Sequence, residues 1–190
     1  MSHPVEQTAE AAISALRTLE GSGPLASETD IVPGCRLSFD TERGAMGASN
    51  AAGAGGLLRL SLKVEKPGRW RSLNISLGGA ALQEGDVIGV VADMAASEAA
   101  EIGLSIRAGR GKRFRDTPFD DRIAVGPAGG VHVALHTVAA GTPLADPASW
   151  RTLMLRLPPQ NLDLEIRDLR IFVVPVSAPA APAAAARAAT

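Results

Sequence analysis

From Cys35 to Pro175 the chain repeats one unit, a short run of alternating apolar and polar residues followed by a cluster of turn formers. Alternation with period two puts every second side chain on the same face of an extended strand, so each run can hide one face and wet the other. Leu58, Leu60, Leu62 and Val64 form one such face, with Arg59, Ser61 and Lys63 on the other. Leu73, Ile75 and Leu77 point inward in the next run, and Ser72, Asn74 and Ser76 point outward. The pattern continues at Ile88 to Met94, at Ile102 to Ile106, at Ile123 and Val125, at Val131, Val133 and Leu135, and at Leu153 to Leu157. In the last run the apolar parity is even at Leu164 and Ile166 and odd at Leu169, Ile171 and Val173. A change of parity inside one strand requires an extra residue, which predicts a β-bulge at Arg167-Asp168. Glycine-rich turns such as Gly78-Gly79 and Glu84-Gly85-Asp86 punctuate the runs. The expectation is an all-β domain, a two-sheet antiparallel β-sandwich of eight or nine strands. The long Gly109 to Arg122 stretch reads as a crossover between the sheets.

Two flanks differ from this body. Residues 5–20 read as a helix: Pro4 suits its first turn, Val5, Ala9, Ala12, Ile13 and Leu16 share one stripe, and Gly21 follows as a stop. That stripe packs on the sandwich, or it serves as an oligomerisation or attachment face, because small alanines allow close approach. Residues 21–31 are a polar connector, and the Gly/Ala/Ser/Asn stretch from Gly44 to Gly56 looks too flexible for a strand. Beyond Val176 the chain is almost wholly Ala and Pro, which predicts a disordered tail because there is too little apolar surface to offset ordering. The expected division is helix and connector at 1–31, sandwich at 32–175 and tail at 176–190.

Composition narrows the chemistry. With 19 basic and 20 acidic residues in 190, the chain lacks the basic excess of a general nucleic-acid binder. Only three of the cations are lysines, and arginine suits bidentate contacts to carboxylate or phosphate. Cys35 is the single cysteine, so neither an intrachain disulfide nor a cysteine metal cluster can form, and its expected role is a small residue of the first strand. The N-terminus shows no charged leader followed by an apolar stretch, and no apolar run reaches membrane-spanning length, so neither a signal peptide nor a membrane partner is expected. The expected location is the cytoplasm, or export as part of a particle.

Few residues stand out as carriers of chemistry. Arg107, Arg110, Lys112, Arg113 and Arg115 put five cations in nine residues among glycines, a positive loop able to grip anionic groups. Asp116, Asp120 and Asp121 follow it; they offer oxygens to Ca²⁺, but the neighbouring cations oppose a metal there, and no metal or cofactor is assigned. His132 and His136 lie four residues apart on a strand, about 13 Å, too far to share a metal, though both could floor a shallow polar groove. Among six aromatic residues, Trp70 and Trp150 begin strands and could stack against a ligand. No nucleophile elbow, metal triad or cysteine–histidine signature is present.

The segments Trp70-Arg71-Ser72-Leu73-Asn74-Ile75 and Gly85-Asp86-Val87-Ile88-Gly89-Val90 resemble the middle strands of jelly-roll carbohydrate-binding modules and galactose-binding-like domains. Trp150 to Leu155 and Leu164 to Ile171 resemble their closing strands, so the likeness covers about residues 35–175. It implies a jelly-roll sandwich that binds a glycan on a concave sheet face or at the loops without acting on it. The scarcity of aromatic residues departs from the usual sugar-binding face. The resulting expectation is a non-enzymatic module for a glycan or other anionic polymer, most simply an acidic polysaccharide. Its ligand residues would be Arg107, Arg110, Lys112, Arg113, Arg115, Trp70, Trp150, His132 and His136. The alternatives are a structural or adhesive subunit of a larger assembly, such as a viral or gene-transfer particle spike associating through residues 5–20, and a small glycan-active enzyme.

Overall fold

The computed structural model describes residues 2–53 and 55–176. One helix, α1 (Pro4–Arg17), precedes twelve strands: β1 (Ser22–Leu25), β2 (Thr29–Val32), β3 (Cys35–Phe39), β4 (Ala45–Ala52), β5 (Leu58–Lys66), β6 (Arg71–Gly78), β7 (Val87–Ala96), β8 (Ala100–Arg110), β9 (Arg113–Val125), β10 (Gly130–Thr137), β11 (Trp150–Arg156) and β12 (Leu162–Val174). They form two antiparallel six-stranded sheets, a front sheet ordered β2-β3-β6-β11-β8-β9 and a back sheet ordered β1-β4-β5-β12-β7-β10. The fold is a jelly-roll β-sandwich.

The alternation read from the sequence builds the core. Leu58, Leu60 and Leu62 of β5 and Leu73, Ile75 and Leu77 of β6 come from opposite sheets, and all six are buried. Ile88, Val90 and Met94 of β7, Ile102 and Ile106 of β8, and Leu153 and Leu155 of β11 join the same core. The bulge in β12 falls where the parity changes, as the pairing of β12 with β7 shifts between Ile166 and Asp168. Leu164 and Ile166 before the irregularity, and Leu169 and Ile171 after it, are thereby all buried.

The strand count exceeds the eight or nine expected. The polar connector supplies β1 to the back sheet and β2 to the front sheet, and the small-residue stretch supplies β4, paired along its length with β5. These segments are extended because a neighbouring strand offers a full ladder to their backbone groups, a cause that local composition does not display. The Gly109 to Arg122 stretch is no crossover. It is the turn and second arm of a hairpin in which Arg110 pairs with Arg113, and Gly111 takes the left-handed φ of 59° that the tight turn needs.

The stripe of α1 is spent inside the molecule. Val5, Ala9, Ala12, Ile13 and Leu16 are all buried, and the helix lies against β6 of the front sheet and β12 of the back sheet. An association face through that stripe is therefore ruled out; its apolar surface already belongs to the core. Glu6 closes a capping box at the helix start and accepts a hydrogen bond from the Val173 amide at 2.6 Å. Cys35 is fully buried, and burial pushes its thiol up to about 12, which leaves it inert. The tail expected at 176–190 lies, beyond Val176, outside the described residues.

One arginine is part of the core. Arg151 is 1% exposed and meets no carboxylate among the described residues. Its guanidinium donates to Ala80 O at 2.6 Å, to Leu144 O at 3.1 Å and to Asp146 O at 2.8 Å. Three carbonyl dipoles thus answer its two terminal nitrogens while its buried Nε has no partner, and the loops after β6 and before β11 are tied to one side chain. Arg151→Met, which keeps much of the volume but orphans three carbonyls, is expected to lower unfolding free energy by about 3 kcal/mol. Urea denaturation measures this, and a loss below about 1 kcal/mol would show that the clamp does not hold the loops.

Candidate functional site

The outer face of the front sheet carries an open groove of about 910 Å³. Its floor comes from the outward positions of adjacent strands. β6 contributes Ser72, Asn74 and Ser76, and β11 contributes Thr152, Met154 and Arg156. Arg36 and Ser38 of β3 flank one side, Arg107 of β8 and Phe114 of β9 the other. The Asn74 amide donates to Ser38 Oγ at 2.8 Å, and Ser72 Oγ donates to Asn74 Oδ1 at 2.9 Å, so the middle is a connected surface of hydroxyl and amide groups.

The two tryptophans stand at opposite ends of this groove. β6 and β11 run antiparallel with Ser72 opposite Arg156 and Gly78 opposite Arg151. Trp70 precedes the first of these rows and Trp150 lies beyond the last, so about 26 Å of strand separates them at roughly 3.3 Å per residue. Trp70 is 42% exposed. Trp150 lies across Gly109, where a Cβ would come within 2.3 Å of its ring. Phe114 is paired with the same glycine from the other side and is 52% exposed, so an aromatic row spans β9, β8 and β11. The Arg107 guanidinium carbon sits 4.0 Å above the centre of the Phe114 ring, a cation–π contact.

Most groove arginines are held by carboxylates. Arg107 donates to both oxygens of Asp116 at 2.7 and 2.9 Å, and Arg156 donates to the same carboxylate at 3.0 Å and to the buried Ser105 Oγ at 3.0 Å. Arg36 is paired with Asp30 and Glu28. Arg69 is paired with Asp40 and Glu42, and its contacts hold the buried Asp40 carboxyl well below the usual carboxylate range. Arg71 has no acidic partner among the described residues; its Nε is buried without an acceptor, and burial lowers its pKa.

The groove gathers Trp70, Trp150 and Arg107 from the residues singled out in the sequence. Arg110, Lys112, Arg113 and Arg115 are exposed around the tip of the β8–β9 hairpin, outside the groove lining. His132 and His136 belong to the back sheet and do not line this groove. Their strand, β10, has the opposite parity to the one expected: Val131, Val133 and Leu135 are exposed, and Ala134 and His136 turn inward. The cause lies at the seam where β9 approaches β10. There Ala134 is 1% exposed and the Phe119 ring lies 5.2 Å from that of His136, leaving room for a small residue and a ring pair but not for three branched side chains. The His136 Nε2 is buried without a partner, and burial lowers its pKa against the opposing pull of Asp120. Asp116 is committed to arginines, and among the described residues no three acidic, histidine or cysteine side chains gather as a metal site.

Sequence reasoning missed Arg36, Arg156 and Met154. Their outward alternation was visible, and β6 and β11 both begin Trp-Arg followed by a hydroxyl residue and leucine, counting Trp70 just ahead of β6. What the sequence did not display is that these two strands are neighbours.

No family model and no curated protein sequence matches the chain. Solved structures do. The CBM22-1 xylan-binding domain from Paenibacillus barcinonensis has 12% identity and a TM-score of 0.50, covering 83% of this chain and 99% of that one. A CBM4 structure has 10% identity and a TM-score of 0.53, covering 80% and 95%. The family 11 carbohydrate-binding module of a Clostridium thermocellum cellulosomal cellulase has 8% identity and a TM-score of 0.51, covering 82% and 96%. The chain therefore shares the jelly-roll fold of carbohydrate-binding modules, as its sequence pattern suggested.

The Asp116 cluster has a pH signature. The hydrogen bonds and charge of Arg107, with those of Arg156, hold the Asp116 carboxyl below its ordinary value of 3.8. A depressed folded value means the contribution to stability is complete above the unfolded pKa and is lost as pH falls through the folded one. Acidification from about pH 5 to about pH 3 is expected to lower the melting temperature less in Asp116→Asn than in the parent protein. Equal losses in scanning calorimetry would show that Asp116 contributes nothing to the acid response.

Proposed function

We propose that this protein is a non-catalytic glycan-binding module that lays a polysaccharide, an acidic one, along the front-sheet groove. The observation that carries this reading is the pair of tryptophans at the two ends of an open trough floored by hydroxyl and amide groups. Aromatic planes suit the apolar faces of sugar rings, and the polar floor suits their hydroxyls. An open trough accepts a chain passing through it, whereas a closed pocket would select an end. The likeness in fold to carbohydrate-binding modules, among them a xylan-binding domain, supports the same reading.

The groove carboxylates support binding without catalysis. Glu28, Asp30 and Asp116 are each bonded or ion-paired to an arginine. Asp116 in particular is held more acidic than usual, the reverse of what a general acid acting on a glycosidic bond needs. The exposed cations of the hairpin tip, beside the aromatic row, favour an acidic ligand by steering it toward that end.

A glycan array at low and moderate salt tests this. The protein is expected to bind polysaccharide, with Trp70→Ala and Trp150→Ala each weakening it by about tenfold or more. Replacing Arg110, Lys112, Arg113 and Arg115 with alanine should remove most of the salt dependence. An array without binding at either salt would overturn the reading.

A second reading, a structural or adhesive subunit of a larger assembly, is favoured by one feature. Val131, Val133, Leu135, Val174 and Val176 are exposed large apolar residues, and the first four lie on the outer face of the back sheet, opposite the groove. Sedimentation velocity over a concentration series should show association that Val133→Lys abolishes; a single monomeric species throughout would remove support for this reading.

A further inference from the structure

The arginines of the groove are not equivalent. Arg36 and Arg69 each face two carboxylates, so at those places the local charge is negative. Arg107 and Arg156 both bond one carboxylate, Asp116, while Glu28 across the groove acts on Arg107 through its charge without bonding it. The arrangement is built rather than loose. Asp116 accepts two bonds from Arg107, Arg156 is also anchored on the fully buried Ser105, and the Phe114 ring supports the Arg107 plane. Each guanidinium spends its Nε and one terminal nitrogen on these contacts. Among the described residues, no hydrogen bond engages the remaining terminal nitrogen of either.

Resting on the glycan-binding reading, we propose that a sugar anion, a carboxylate or a sulfate ester, is received on the groove floor between Arg107 and Arg156. Two pre-oriented guanidinium donors form charge-assisted bonds with little further loss of side-chain freedom. The hairpin-tip cations lack such anchoring and would lose rotamer freedom on gripping the same group. They therefore steer an acidic polymer, and the Arg107–Arg156 pair discriminates it from a neutral one. Asp116 sets the selectivity from the other side: it holds both arginines in place while leaving a terminal nitrogen of each free to donate.

Titration calorimetry with three probes tests the proposal: an oligohexuronate, its carboxyl-reduced neutral counterpart, and that neutral oligomer after sulfation. The parent protein is expected to bind an anionic oligomer about tenfold more tightly than the neutral one, the margin of one charge-assisted contact. In Arg107→Gln and Arg156→Gln that margin should shrink toward unity, with melting curves confirming that each variant is folded. A margin on the hexuronate identifies a carboxylate as the source, and a margin on the sulfated oligomer identifies a sulfate ester. Equal affinity of the parent for all three, or a margin that survives in both folded variants, overturns the anion seat and leaves the glycan reading standing. If no oligomer binds, charged or neutral, the glycan reading falls and the anion seat falls with it.

Discussion

The antiparallel pairing of β6 with β11 at the centre of the front sheet is the constraint on which the rest depends. Inward it sets Leu73 beside Leu155 and Ile75 beside Leu153 in the core. Outward it sets Ser72 beside Arg156, Asn74 beside Met154 and Ser76 beside Thr152, which is the groove floor. Because both strands open with the same Trp-Arg beginning and run in opposite directions, their tryptophans are sent to opposite ends. A slip of one residue would turn the leucines to solvent and the groove residues into the core, so burial of the leucines also protects the register of the site.

Arginine serves two distinct purposes in this molecule. Arg151 is removed from water and answered by backbone carbonyls, which joins the loops behind Trp150 and fixes the end of the groove. Arg107 and Arg156 stay partly exposed and are answered by a carboxylate on the same face. The difference between Arg151 and Arg156 follows from parity: an odd position on β11 points into the sandwich, where a charge must find dipoles, and an even position points out, where water shares the work.

Legibility in the sequence tracked how much apolar side chain each segment carried. The strands with two or more large inward residues, such as β5, β6 and β12, were readable, and so was the bulge, since an apolar parity change has no other solution in a paired strand. β1 and β4 carry mostly small or polar residues and β2 only the adjacent pair Ile31-Val32, which cannot both face inward, so their extension comes from a neighbour's backbone. β10 misled for the opposite reason. Its valines and leucine suggested an inward face, yet the space there admits Ala134 and a histidine ring. Of the site, the two tryptophans were legible as aromatic residues at strand starts and Arg107 as the first cation of a basic run, whereas nothing local marked Arg36 and Arg156.

The sequence by itself determined the two-sheet sandwich, the inward face of most strands, the helix stripe and the position of the bulge, because period and parity are local properties of a chain. Only the tertiary structure decided which strands became neighbours, that the basic run is a hairpin tip, and that the front sheet bears the groove. Those outcomes rest on pairings between segments as far apart as Asn74 and Met154. They depend on closing long loops and filling shared volume, and neither of these leaves a mark on any single stretch of sequence.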